Sequence, residues 1–79
     1  MDPTLRARVL ARDNHTCQAS VRGFDHVCFG GLHVHHRLPR GRGGRDTLDN
    51  LISVCTSAHD KLHNVDRAGA YACGLLLRS

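Results

Sequence analysis

Between His33 and His63 the chain reads HVHHRLPRGRGGRDTLDNLISVCTSAHDKLH, and this stretch holds five of its seven histidines. The histidines are grouped at its two ends. Between them Pro39, Gly41, Gly43 and Gly44 break any regular element and demand a loop. His59 and His63 stand four residues apart in SAHDKLHN, which has no helix breaker, so a helix places both imidazoles on one face, one turn apart. Such a pair can grip one metal ion, or it can be two polar groups on a solvated face. His33, His35 and His36 lie in GLHVHHRL, where β-branched Val34 between Leu32 and Leu38 predicts a short strand. TLDNLISVC then opens a short turn or helix with Asp49 or Asn50 near its start. The order is strand, basic loop, turn and helix, with histidines at both ends. It predicts one metal clasped between a hairpin and a helix.

Size makes such a staple necessary. A chain of 79 residues is one domain, 1–79, and buries only about 60% of its unfolded surface. Aromatics are 4% with no Trp, so the core must come from Leu, Val and Ala. Chains of this kind usually need a metal or a disulfide. Four Cys and seven His make metal the natural choice.

The net charge is +4, from eleven Lys plus Arg against seven Asp and no Glu. That mild excess suits a polyanionic partner. A general preference for Arg over Lys explains much of the choice of cation, but not the local cluster Arg37, Arg40, Arg42 and Arg45 beside the histidines. No apolar run approaches the roughly 20 residues of a membrane span, and MDPTLRARVL lacks the apolar core of a signal peptide. The protein is therefore expected in the cytoplasm, where thiols stay reduced and cysteine spacing favours metal over a Cys17–Cys28 disulfide.

At the N-terminus, Asp2 and Pro3 are a helix cap and first-turn residue. Thr4 to Arg12 then places Leu5, Val9 and, less well, Leu10 on one side, and Asp13-Asn14-His15 ends the helix. HTCQASVRGFDHVCFGGL reads as two short extended pieces around a turn near Gly23. Asn64 to Ala72 reads as another short helix with Asp66 as cap. Gly74 ends it, Leu75 to Leu77 follow as a buried tail or edge strand, and Cys73 is assigned to the core.

The paired His35-His36, Pro39, the Gly43-Gly44 turn, Asn50-Leu51, Cys55, His59 and His63 together resemble an HNH endonuclease. The likeness covers residues 14–63. The double histidine and His-x3-His ending look most like bacterial DNase toxins, and the cysteines like small stand-alone phage or restriction-type members. The resemblance implies an α+β fold: a small ββα-metal, treble-clef-like domain with a short N-terminal helix and a short C-terminal helix and tail. It implies catalytic roles for His36, as general base, and for Asn50, which ties down the loop that carries the base. His35, His59 and His63 would hold one divalent metal, with Zn, Ni, Mn and Mg all open. It implies DNA as partner and, for phage-encoded members, the large subunit of the packaging terminase.

Cysteine-bearing relatives carry two Cys-x2-Cys pairs that form a structural zinc site. Here the first pair is stretched to Cys17-x10-Cys28 and the second is reduced to Cys55, with Ala58 where its partner would fall. Cys17, Cys28 and Cys55 with His15 or His26 could still make a Cys3His zinc site. The simpler reading is that the thiols pack as small hydrophobic residues.

Phosphodiester hydrolysis needs a base, and neutral imidazole is one near its ordinary pKa of about 6.5. It also needs a Lewis acid for the phosphate and the leaving oxygen. Neighbours on a regular strand point to opposite faces, so His35 and His36 share a site only if the strand ends or bulges there. If the strand stays regular, His33 shares a face with His35 and becomes the rival ligand. Arg40 to Arg45 offer phosphate contacts without an aromatic for base stacking, which predicts weak sequence preference and strong salt dependence. The competing assignment is a non-catalytic zinc-bound nucleic-acid module, which has no use for His36 or for Asn50 at that spacing.

Overall fold

The computed structural model describes residues 2–78. Helix α1 (Pro3–Arg12) begins as its sequence demands, with the Asp2 carboxylate accepting the Thr4 N–H at 3.0 Å and Pro3 in the first turn. Val9 and Leu10 are its buried residues. Asn14 and His15 adopt left-handed conformations, with φ of 55° and 50°, and end the helix.

The next segment departs from expectation. Instead of an extended piece, Gln18–Val21 forms a single helical turn, α2, and Gly23 at φ 76° follows it in a left-handed conformation. Burial of Ala19 and Phe24 in the core outweighs the strand preference of the short apolar run.

The centre of the fold is an antiparallel hairpin of β1 (Leu32–His36) and β2 (Leu51–Cys55), with Leu32 opposite Cys55 and His36 opposite Leu51. The second strand corrects the turn-or-helix reading of TLDNLISVC. The turn is confined to the residues before Leu51, where the Asn50 N–H bonds the Thr47 carbonyl at 3.0 Å. LISVC gives no alternation to read, because all five residues are buried. Elements cover both faces of β2.

Its outer edge is closed by side chains rather than by a third strand. The Asp13 carboxylate accepts the Ser53 N–H at 2.9 Å, the Cys17 thiol accepts the Cys55 N–H at 3.3 Å, and the Arg12 guanidinium donates to the Leu51 carbonyl at 2.6 Å. Arg12 also reaches the Leu48 carbonyl and pairs with Asp13 at 2.9 Å. An open edge in so small a core would leave these backbone groups without partners.

Helix α3 (Thr56–Asn64) follows β2 directly. Cys55 is its N-cap, its thiol accepting the Ala58 N–H at 3.4 Å. The short helix expected from Asn64 is smaller: α4 spans Arg67–Ala72, since α3 runs through Asn64. The Asp66 carboxylate caps α4 by accepting the Gly69 N–H at 2.9 Å. Leu75 and Leu76 then enter the core with Ile52, Val54, Ala58 and Leu62, and the Leu77 N–H bonds the Arg37 carbonyl at 2.8 Å. Cys73 packs at the margin of that core.

Candidate functional site

The hairpin and α3 bring His35, His59 and His63 together. One ring nitrogen from each lies within 4.8 Å of the other two. The His35 ring is 5.3 Å, centroid to centroid, from both helical rings, and these are 4.7 Å from each other. His35 is buried, and its Nε2 faces the Leu75 carbonyl at 2.7 Å. That bond makes Nε2 the donor and leaves the Nδ1 lone pair for a ligand. Metal-binding imidazoles are oriented by backbone carbonyls in this way.

The electrostatics agree. Burial, with His59 and His63 nearby, pushes the His35 pKa down to about 4, against the weaker opposing pull of the Leu75 carbonyl. Burial lowers His59 and His63 too, helped by the neighbouring His63 and His33 rings at His59 and by Arg67 at His63. Neutral imidazoles are the form a cation needs.

β1 ends at His36, and there both neighbours line one recess of about 230 Å³, with Val34, Pro39, Arg40, His59 and His63. His36 stands outside the three-histidine group. Its Nε2 lies 2.6 Å from Asp46 Oδ1, and the other Asp46 oxygen accepts from Arg40 Nη2 at 2.6 Å. The His36 and Arg40 bonds hold the Asp46 carboxyl below the usual carboxylate range. Sequence reasoning missed Asp46. One of seven Asp residues carries no marker of its own, and only the fold of the loop brings it to His36.

His33 is not in the group of three. Its ring stacks on His59 at 5.5 Å, and its Nε2 meets the Thr56 hydroxyl at 2.9 Å. Asn50 clasps the loop: its Oδ1 accepts the Leu38 N–H at 2.8 Å, and its Nδ2 donates to the Leu38 and Arg45 carbonyls at 3.1 and 3.0 Å. Gly44 permits that closure, since a Cβ there would stand 1.7 Å from the Leu38 carbonyl oxygen. Arg42 and Arg45 are exposed on the loop. Arg37 is elsewhere, turned to the Gly74 carbonyl at 2.7 Å and lining a separate recess.

A second group forms where α2, the following loop and the start of α3 meet. Donor atoms of Cys17, His26, Cys28 and Cys55 lie within 4.8 Å of one another. The fourth donor is His26. His15 is exposed at the end of α1, and Ala58 is buried with its N–H on the Cys55 thiol. His26 Nδ1 faces the Phe24 carbonyl at 2.7 Å, which frees Nε2, 3.8 Å from the Cys17 sulfur. Burial opposes ionisation of Cys55, yet the Ser57 hydroxyl, Cys28 and the Ala58 N–H bring its pKa down to about 6. Cys28, bonded to that thiolate, is pushed up to about 11. Burial opposes ionisation of Cys17 too, but the N–H groups of Cys55 and Ser20 and the His26 ring bring it below its ordinary value. All four cysteines are free of disulfides.

A β-hairpin whose last strand runs into a helix, with imidazoles from both converging, is the ββα-metal arrangement. Residues 16–65 match the family model of the HNH endonucleases, and the chain belongs to that family. It is 32% identical over 65 residues to the type IV methyl-directed restriction enzyme EcoKMcrA of Escherichia coli K12, covering 78% of this chain and 24% of that protein. It is 43% identical over 35 residues to the probable mobile endonuclease C of Enterobacteria phage T4, covering 44% of this chain and 17% of that one. The chain thus spans about a quarter or less of these relatives. No solved structure matches it significantly.

Proposed function

We propose that residues 2–78 form one nuclease domain that hydrolyses DNA phosphodiester bonds, with His36 as general base and His35, His59 and His63 as ligands of one divalent cation. The observation that carries this reading is the shared recess, where three convergent imidazoles adjoin a fourth that stands apart. The donor set fits a cation, because the Leu75 carbonyl fixes the His35 tautomer with Nδ1 free. Three nitrogen ligands favour Zn, Ni or Mn over Mg, which prefers oxygen. When bound, the cation supplies a Lewis acid for the phosphate and the leaving oxygen.

The rest of the chemistry belongs to the chain. Asp46 accepts the His36 Nε2–H, so the basic lone pair sits on Nδ1 and can take a proton from water. Asn50 is a positioning residue, tying Leu38 to Arg45 and so fixing the segment that follows His36. Arg40 holds Asp46, and the exposed Arg42 and Arg45 meet backbone phosphates, which gives affinity with little sequence information.

Cys17, His26, Cys28 and Cys55 hold a structural zinc that fastens the α2 region to the start of α3. The reduced thiols fit a cytoplasmic protein, and no helix of the described residues is long and apolar enough to cross a membrane. For a phage-encoded member, the packaging terminase large subunit is the partner to test by co-purification.

The test is nicking of supercoiled plasmid with Mg, Mn, Ni or Zn, comparing the wild type with His36→Ala. Metal-dependent nicking by the wild type, abolished in the variant while its metal content is unchanged, is the expected result. A wild type inactive with every metal, yet still binding DNA, returns the chain to the non-catalytic zinc module.

A further inference from the structure

Away from the histidine cleft, Arg12, Arg22 and Arg37 line a recess of about 320 Å³ with Asp13, Gln18, Leu48, Asp49, Leu51 and Ile52. The three arginines do not have equal duties. Arg12 is committed, since its guanidinium closes the edge of β2 and pairs with Asp13. Arg22 spends one N–H on the Cys73 carbonyl at 3.0 Å. Arg37 spends two, on the carbonyls of Gly74 and Asp49. A guanidinium carries five N–H donors, so both keep several.

Both also converge on one point. A methyl group on Gly74 would stand 2.8 Å from Arg22 Nη1 and 3.3 Å from Arg37 Nη2. Among the described residues, neither has a carboxylate oxygen within ion-pair distance: Arg12 takes the Asp13 carboxylate and Arg40 takes that of Asp46. Asp49 meets Arg37 through its backbone carbonyl. The Asp13 and Asp49 carboxylates that line the same recess offset part of the repulsion between the two guanidiniums, and an anion joining them would relieve the rest. Forked donors of this kind match phosphate oxygens better than any other common anion except carboxylate.

We infer that this recess is a second phosphate site, in which Arg22 and Arg37 grip a backbone phosphate of the nucleic acid other than the one cleaved. The inference rests on the nuclease reading for the source of its phosphate. Arg37 follows His36 directly in the chain, so a strand held at the recess is positioned relative to the base by a single peptide unit. Arg12, Gln18, Asp49 and the Arg12-paired Asp13 complete the polar lining, and Arg12 keeps its structural bonds whether or not the site is filled.

Two arms test it on the full chain loaded with zinc. In the first, inorganic phosphate is titrated while the Nε–H resonances of Arg22 and Arg37 are followed by NMR. Both should move together in the wild type, and the Arg37 signal should stay still in Arg22→Gln, whose amide can keep the Cys73 bond. In the second, duplex binding is measured in a His36→Ala background across a range of salt. Arg22→Gln should weaken binding about five- to tenfold and lower the salt slope by about one. Arg22→Lys, which keeps the charge, should recover most of it.

A phosphate response without any change in duplex affinity would overturn nucleic acid as the source. No response in either arm would overturn the site. If the His36→Ala parent itself fails to bind duplex, the nuclease reading fails, while the phosphate titration still decides whether the recess holds an anion.

Discussion

Cys55 and His59 lie one helical turn apart, yet the groups they join differ in donor number, chemistry and surroundings. Around Cys55 four donors, three of them sulfur, meet at the junction of α2, its loop and α3. Around His59 three nitrogens line a recess that also holds His36. Four donors can complete a tetrahedral shell and leave no position for a substrate. Three leave at least one. On the proposed reading, the same helix serves a closed site at its N-cap and an open one along its length, so whatever fixes the first aims the second.

The largest expected effect separates the two by stability. Structural zinc contributes on the order of 10 kcal/mol or more to small domains, comparable to their whole stability. Cys55→Ala should abolish cooperative unfolding by circular dichroism, whereas His59→Ala should keep the transition and lose only activity. Equal losses of structure in both variants would erase the distinction.

Next comes chemistry. His36→Ala should lower nicking by about 10²- to 10⁴-fold at saturating metal. Titration should show unchanged metal affinity, because His36 stands outside the ligand group.

Acid should act on the open cluster through His35. Burial lowers the His35 pKa from 6.5 to about 4. Between those values the unfolded chain holds a proton that the folded chain does not. Stability conferred by neutral His35 is therefore full above pH 6.5 and is lost as pH falls toward 4, by on the order of 3 kcal/mol. Urea titrations with the histidine cluster kept metal-free should show this slope, and His35→Gln should flatten it.

Two finer substitutions probe positioning within the open site. Asp46→Asn should reduce kcat about 10- to 100-fold with little change in KM, since it disturbs the His36 tautomer rather than binding. Asn50→Ala removes three hydrogen bonds across the loop and should destabilise by about 1–3 kcal/mol, read as a lower Tm.

The two regions were also unequally legible. His59 and His63 could be paired from spacing alone, because an i, i+4 pair on a breaker-free helix has one geometry, whereas His35 joined them through the family resemblance, with His33 as its rival. The strand LISVC could not be read, since full burial removes the alternation that marks a strand. Asp46 was hidden, and the choice of His26 over His15 was left open, for a different reason. Each reaches its partners only through irregular backbone, at residues 24–31 and 37–50, where sequence gives turn punctuation but no direction for a side chain. The C-terminal tail was read as packing, and its second duty, the Leu75 carbonyl on His35, follows only from tertiary placement. The fold was thus open to reading where elements are periodic, and the sites only where their residues lie on such elements.

The division of labour between the two clusters is tested most directly by titrating the metal-free chain with Co(II) and recording its absorption. The account predicts a first equivalent with intense thiolate-to-cobalt charge transfer, appearing together with folding. A second, weaker equivalent should add only ligand-field bands, and should be missing from a His35, His59 and His63 triple-alanine variant. A single equivalent, or thiolate bands that grow across both, would contradict it.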